Sequence, residues 1–194
     1  DCGVCDGDNS LCNQPVADSQ TISVNEDSEV SITLTGSDPN GDDLAFELSS
    51  NPEFGTLTGD IPNLTYTPTE NYNGSDSFLF TVTSSIDGQW VSLPAVISIN
   101  IISVNDSPIL DSVDDINFLE DGSTVITLAA SDVDGDDLVY SITGGSEISA
   151  SVTGATVTFT TSQDFEGIET FTAIVSDGND GEDSQSFEVE VIGV

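Results

Sequence analysis

The sequence predicts an all-β protein built as two tandem β-sandwiches with Greek-key connections. Three observations carry that expectation. Apolar residues alternate with Ser and Thr at a period of two, which marks strands buried on one face. Turn tetrapeptides such as PNGD, YNGS and VDGD separate the alternating runs. The whole pattern occurs twice, and no stretch sustains a helical period.

In the first repeat the alternating sets are Val30, Ile32 and Leu34, then Phe78, Phe80 and Val82, then Ile97, Ile99 and Ile101. In the second they are Ile126 and Leu128, Val157 and Phe159, Phe171, Ala173 and Val175, and Phe187, Val189 and Val191. Val, Ile, Thr and Phe suit a pleated, half-buried surface. About seven short strands per 90 residues suit an antiparallel sandwich. Asn25–Leu48 aligns without gaps on Leu119–Ile142, with eleven of 24 positions identical. Asn71–Val82 aligns on Asp164–Val175. A repeat this long is a tandem domain rather than a solenoid unit. Three segments result: residues 1–14, which hold all three cysteines, residues 15–106 and residues 107–194. The NDSP link, stiffened by Pro108, leads us to expect sandwiches stacked end to end.

Composition excludes much. The 194 residues include 36 Asp and Glu but no Lys, Arg or His, for a net charge of −36. No side-chain salt bridge can form. Nucleic acid and anionic membrane surfaces are excluded as partners, because both require Lys and Arg. No His or Lys is present to activate a nucleophile or to form a Schiff base, so only paired carboxylates remain for acid–base chemistry and the chain reads as a non-enzyme. No apolar run reaches the ~18 residues of a membrane span, and no signal-peptide pattern opens the chain. It reads as a mature extracellular protein or a piece of one. Like charge at this density repels, and hard cations held by oxygen ligands, Ca²⁺ foremost, would offset it.

Four landmarks follow in order along the repeats. An acidic pair comes first, Glu26–Asp27 and Glu120–Asp121. Next comes an acidic loop, Asp38-Pro39-Asn40 and Asp132-Val133-Asp134, and then an Asp-Gly, Asp87–Gly88 and Asp177–Gly178. An Asn-Asp-x-Pro link closes the first repeat with Asn105, Asp106 and Pro108. Over Pro15–Val194 these residues resemble the bacterial cadherin-like tandem repeats of large surface proteins, within the cadherin superfamily. The resemblance implies cadherin/Ig-like sandwiches with calcium at domain junctions. Its ligands would be Glu26, Asp27 and Asp76 from the first domain, Asn105 and Asp106 from the link, and Asp132, Asp134 and Asp177 from the second domain. An upstream pole would carry Asp38, Asn40 and Asp87, with Asn40 departing from the family's second Asp. A downstream pole would carry Glu120, Asp121 and Glu169. For Asp42, Asp43, Asp136 and Asp137, a turn or solvation role stands level with a metal role. Asp183 matches no landmark and reads as a loop residue.

The segment CGVCDGDNSLC resembles short cysteine-rich linkers of secreted proteins. Cys2, Cys5 and Cys12 read as disulfide formers, and the odd count leaves one thiol free or bonded elsewhere. Asp6, Asp8 and Asn9 have the spacing of a short calcium loop. Sequons at Asn63 and Asn73 are glycosylation candidates.

The functional expectation is a calcium-rigidified extracellular module of an adhesin stalk or filament. Its partners would be neighbouring repeats or copies of itself arranged head to tail, together with cell-surface glycans or proteins. Two alternatives stand beside it: the subunit of a homopolymeric fibre, and a carbohydrate-binding module using Trp90 in QWVSLP.

Overall fold

The computed structural model describes residues 14–84 and 90–194. Among these residues every regular element is a strand, and no helix is long and apolar enough to cross a membrane. The cysteine segment and Asp87 lie outside the described residues, so the expectations placed on them have no structural counterpart. The chain divides into two compact units between Val104 and Asn105.

The first unit contains β1 (Val16–Ala17), β2 (Gln20–Asn25), β3 (Val30–Thr33), β4 (Gly36–Ser37), β5 (Leu44–Leu48), β6 (Gly55–Asp60), β7 (Asn63–Pro68), β8 (Gly74–Ser84) and β9 (Ala95–Ile102). One sheet has the order β2-β9-β8-β5, the facing sheet has the order β3-β7-β6, and β1 pairs with β4. Phe78, Phe80 and Val82 of β8 and Ile97 and Ile99 of β9 point inward and are buried. They meet Ile32, Leu64 and Tyr66 from the other sheet. Each such side chain contributes roughly 1.5–3 kcal/mol on burial.

The second unit repeats this plan with β10 (Ile109–Leu110), β11 (Ile116–Leu119), β12 (Ser123–Thr127), β13 (Ala130–Ser131), β14 (Val139–Gly144), β15 (Ile148–Thr153), β16 (Thr156–Thr161), β17 (Gly167–Ser176) and β18 (Glu182–Ile192). The sheets are β11-β18-β17-β14 and β12-β16-β15, with β10 paired to β13. Its core centres on Phe159, set edge-on to Phe171 at 5.1 Å and to Phe187 at 6.0 Å.

The described units hold more strands than the alternation predicts, because the opening strand of each is split. β1 pairs antiparallel with β4, but β2 runs parallel to β9, and β10 and β11 behave likewise. At the switch the backbone changes partner, and side-chain oxygens fill in. Ser19 Oγ accepts the Val96 N–H at 3.1 Å, and Asp115 Oδ1 accepts the Glu188 N–H at 2.7 Å. Asp183 lies within β18 rather than in a loop, and its Oδ2 accepts the Leu110 N–H at 2.8 Å, tying β10 to the sheet.

Candidate metal centre

The acidic loop of the second unit follows β13 and folds around its own first residue. Asp132 Oδ1 accepts the N–H groups of Asp134 at 2.9 Å, Gly135 at 3.0 Å and Asp136 at 3.3 Å. That turn requires the left-handed backbone of Gly135, φ 79°. It brings oxygens of Asp132, Asp134 and Asp136 within 4.8 Å of one another. Three carboxylates so close repel by several kcal/mol per pair at the effective dielectric of a protein surface, about 4 at 4 Å. The chain has no Lys, Arg or His to answer them.

Four further residues of this unit join the loop. Asp134 Oδ2 accepts the Asp106 N–H at 2.8 Å. The Asn105 side-chain amide donates to Asp177 Oδ2 at 2.8 Å, and the Asn179 side-chain amide donates to Asp136 Oδ2 at 2.7 Å. Asp177 is buried, and its Oδ1 accepts the N–H groups of Asn179 at 2.7 Å and Gly181 at 3.0 Å. The Asn105 amide, followed by the Asn179 N–H, holds the Asp177 carboxyl below its usual range despite burial. A Cβ at Gly181 would run into Asp177 Oδ2, so a larger residue there would displace this carboxylate.

Asp132 Oδ2 is buried and has no hydrogen-bond donor. A buried carboxylate oxygen without a donor is costly in water-excluded surroundings, whereas a cation would satisfy it. The loop of the first unit has the same feature. Asp38 Oδ1 accepts the N–H groups of Asn40 at 2.7 Å and Asp42 at 3.3 Å, while Asp38 Oδ2 is buried without a donor. Asp42 Oδ2 accepts the Ser84 hydroxyl at 3.2 Å. An all-oxygen donor set of carboxylates suits Ca²⁺ and suits Zn²⁺ or Cu²⁺ poorly.

The remaining candidates occupy the opposite end of each unit, where their oxygens accept backbone N–H groups. Glu26, 3 % exposed, accepts the Val104 N–H at 2.7 Å, and Glu120 accepts the Val194 N–H at the same distance. Asp27 and Asp121 both adopt a left-handed backbone, with φ 55° and 58°. Asp27 Oδ1 accepts the Asn71 N–H at 3.0 Å, and Asp121 Oδ1 accepts the Asp164 N–H at 3.4 Å. Asp76 accepts from Tyr66 Oη at 2.7 Å and from the N–H groups of Phe54, Glu53 and Ser77 at 2.9, 3.0 and 2.7 Å. Glu169 accepts from Ser146, Glu147 and Ile148. Of the sequon asparagines, Asn63 Oδ1 accepts the Thr33 hydroxyl at 3.1 Å, and both Asn63 and Asn73 are exposed.

The structure thus brings Asn105, Asp106, Asp132, Asp134 and Asp177 together within the second unit and adds Asp136 and Asn179. The signal for Asp136 was in the sequence. Asp132, Asp134 and Asp136 stand at i, i+2 and i+4, the alternate spacing by which a calcium loop presents its first three ligands. Asn179 carries no such signal, since its role depends on how the β17–β18 turn folds.

Comparisons with known proteins agree with this architecture. The sequence profile of the bacterial Ig domain matches residues 13–100 and again residues 105–190. No curated protein matches the chain significantly. Among solved structures, the chain is similar to human CDH23 EC21-23, with a TM-score of 0.58, 15 % identity, and coverage of 92 % of this chain and 69 % of that one. It is also similar to human mucin-like protocadherin EC1-2, with a TM-score of 0.53, 18 % identity, and coverage of 94 % and 100 %. An endo-fucoidan hydrolase from glycoside hydrolase family 107 aligns with a TM-score of 0.42 and 20 % identity over 100 % of this chain, which spans only 30 % of that enzyme. For the two human proteins, at these identities, the likeness is one of fold. Because the profile takes in nearly the whole chain in two consecutive copies, the protein belongs to the bacterial Ig domain family.

Proposed function

We propose that this protein is a non-enzymatic extracellular module whose acidic loops bind Ca²⁺ and thereby stiffen the chain, as part of a surface adhesin stalk or an extracellular filament. The observation that carries the reading is Asp132 Oδ2, a buried carboxylate oxygen with no donor, in a loop whose three carboxylates crowd within 4.8 Å. Asp132, Asp134 and Asp136 would hold the ion. Asn105 and Asp106 are already fastened to the same end of the unit through Asp177 and Asp134, so an ion there would also order the segment that links the two units. Copies of the same module, in the same chain or another, are the natural neighbours of such a repeat.

Calorimetric titration of the full chain with CaCl₂, before and after Asp132→Asn, tests this. Heat of binding in the 10⁻⁴–10⁻³ M range typical of extracellular modules, lost in the variant, supports the reading. Absence of calcium heat, or heat unchanged by the substitution, overturns it.

A further inference from the structure

The first unit carries a cavity of about 520 Å³ on the outer face of its four-stranded sheet, with none of Asp38, Asn40 and Asp42 of that unit's acidic loop in its lining. Its floor is a ladder of small neutral side chains. Ser77 lies across from Ser98, Ser75 across from Asn100, and Thr21 beside Ser98 on the parallel strand. The loop spanning residues 49–54, between β5 and β6, forms a wall over this floor, with Asn51, Glu53 and Phe54 lining the cavity. The corresponding loop of the second unit spans only 145–147.

That wall is held rigidly. The Glu53 and Phe54 N–H groups bond to the Asp76 carboxylate. The Phe54 ring stacks on Tyr72 at 4.2 Å with planes 4° apart. At its other end Ser50 Oγ accepts the Leu79 N–H at 2.9 Å, and the Ser49 N–H reaches the Leu79 carbonyl at 2.7 Å. A wall ordered before a ligand arrives costs little entropy when it binds.

The chemistry of the lining selects its occupant. In a chain of net charge −36 the lining holds two acidic residues, Glu53 on the rim and Asp76, which is buried with its carboxylate taken up by Tyr66 and the N–H groups of Glu53, Phe54 and Ser77. In the second unit the strand positions equivalent to Ser98 and Asn100 are Glu188 and Glu190. Hydroxyls and amides that donate and accept, one rim carboxylate from Glu53 and one aromatic wall from Phe54 match vicinal hydroxyls and the apolar ring face of a sugar. With no cation at hand, Glu53 and the overall field repel sulfated or uronic-acid chains.

We propose that this cavity is a binding site for a neutral saccharide chain, with Ser75, Ser77, Ser98 and Asn100 contacting its hydroxyls, Glu53 accepting from a vicinal pair, and Phe54 packing on a ring face. Trp90, the aromatic residue the sequence first suggests for such a role, does not line it.

The test is amide NMR of the full chain, with calcium and again with EDTA, titrated separately with cellohexaose, laminarihexaose, mannohexaose and a sulfated carrageenan hexaose. At millimolar sugar, at least one neutral probe is expected to shift the amides of residues 51–54, 75–77 and 98–100, and the sulfated probe is not. The double variant Ser98→Glu/Asn100→Glu carries what the second unit tolerates at the same places, so it should fold with an unchanged melting temperature and bind at least about tenfold more weakly, the order lost when polar groups in a sugar site are mismatched. No shift from any neutral probe, shifts confined to other residues, equal response to the sulfated probe, or wild-type binding by the double variant would each overturn the assignment. Because none of Asp132, Asp134 and Asp136 lines the cavity, saccharide shifts that persist in EDTA separate this site from the calcium reading.

Discussion

Asp76 and Glu169 occupy the same place in the two repeats, and each ties the loop that crosses from one sheet to the other to the start of a long strand with its carboxylate. Asp76 holds the loop before β6 through the Glu53 and Phe54 N–H groups, and Glu169 holds the loop before β15 through Ser146, Glu147 and Ile148. The partner across the core differs. Tyr66 in the first unit gives Asp76 a phenol hydrogen bond, while Phe159 stands at the equivalent position in the second. Gly55 makes room for it, since a Cβ there would sit 2.5 Å from the Tyr66 ring. Burial, and after it the Asp76 hydrogen bond and charge, pushes the Tyr66 phenol well above its ordinary pKa. Burial also pushes the Asp76 carboxyl upward, but the bonds from Tyr66 and the three N–H groups outweigh it and hold it below the usual carboxylate range.

Tyr66→Phe should therefore destabilise the first unit by about 1.5–3 kcal/mol, the worth of a hydrogen bond to a charged group. Asp76→Ala should cost about as much or more, because buried N–H groups lose their acceptor. Differential scanning calorimetry, with the two units resolved, is expected to show the first transition fall by roughly 4–8 °C per kcal/mol while the second stays in place.

A second prediction concerns acid. Partial burial pushes the Glu169 carboxyl up, but the hydrogen bonds from the Ser146 hydroxyl and the three N–H groups prevail and bring it to about 2, against an ordinary 4.5. A carboxylate depressed in the folded state stabilises above its unfolded pKa, and that stability is lost as pH falls from about 4.5 towards 2. Solvent reaches this side chain, so the contribution is about 1 kcal/mol rather than the full value of the shift. Urea unfolding of wild type and Glu169→Gln across this range should converge in acid and separate at neutral pH, and parallel curves would contradict it.

Calcium should raise the melting temperature of the second unit. A site filled at 100-fold its dissociation constant adds about 2.7 kcal/mol. EDTA should remove that gain, and Asp132→Asn should abolish it. Asp183 is unsuitable as the control, since its carboxylate pins Leu110. Glu190→Gln, on the exposed face of β18, should leave the calcium response intact. In solution scattering, the wild-type chain should become more extended and less variable with calcium.

Asn40→Asp should give the first unit the acidic set that Asp132, Asp134 and Asp136 form in the second. An added carboxylate on an otherwise similar loop is expected to tighten calcium binding there by about tenfold, as ligand charge count tunes affinity in such loops. Calorimetric titration of the variant against wild type measures it.

The amino-acid sequence by itself determined the strands, the two repeats and the acidic loops, because each is written in local terms. A period of two in Val, Ile and Phe states which side chains face the core, and Asp-x-Asp-Gly-Asp states a turn that wraps its own carboxylate. It also determined, by holding no Lys, Arg or His, that crowded carboxylates have no cationic side chain to pair with. Only the tertiary structure decided which acids gather and which are already occupied. Asp76 and Asp132 look alike as acidic residues near turns, yet Asp76 is saturated by donors brought from residues 53, 54 and 66, while Asp132 keeps a buried oxygen without one. Asn179 and Asp183 acquire their roles from Asp136 and Leu110, which lie 43 and 73 residues away in the chain. The physical reason is that hydrogen bonding and burial are properties of neighbours in space, and in a sandwich whose sheets pair distant strands those neighbours are set by topology rather than by sequence spacing.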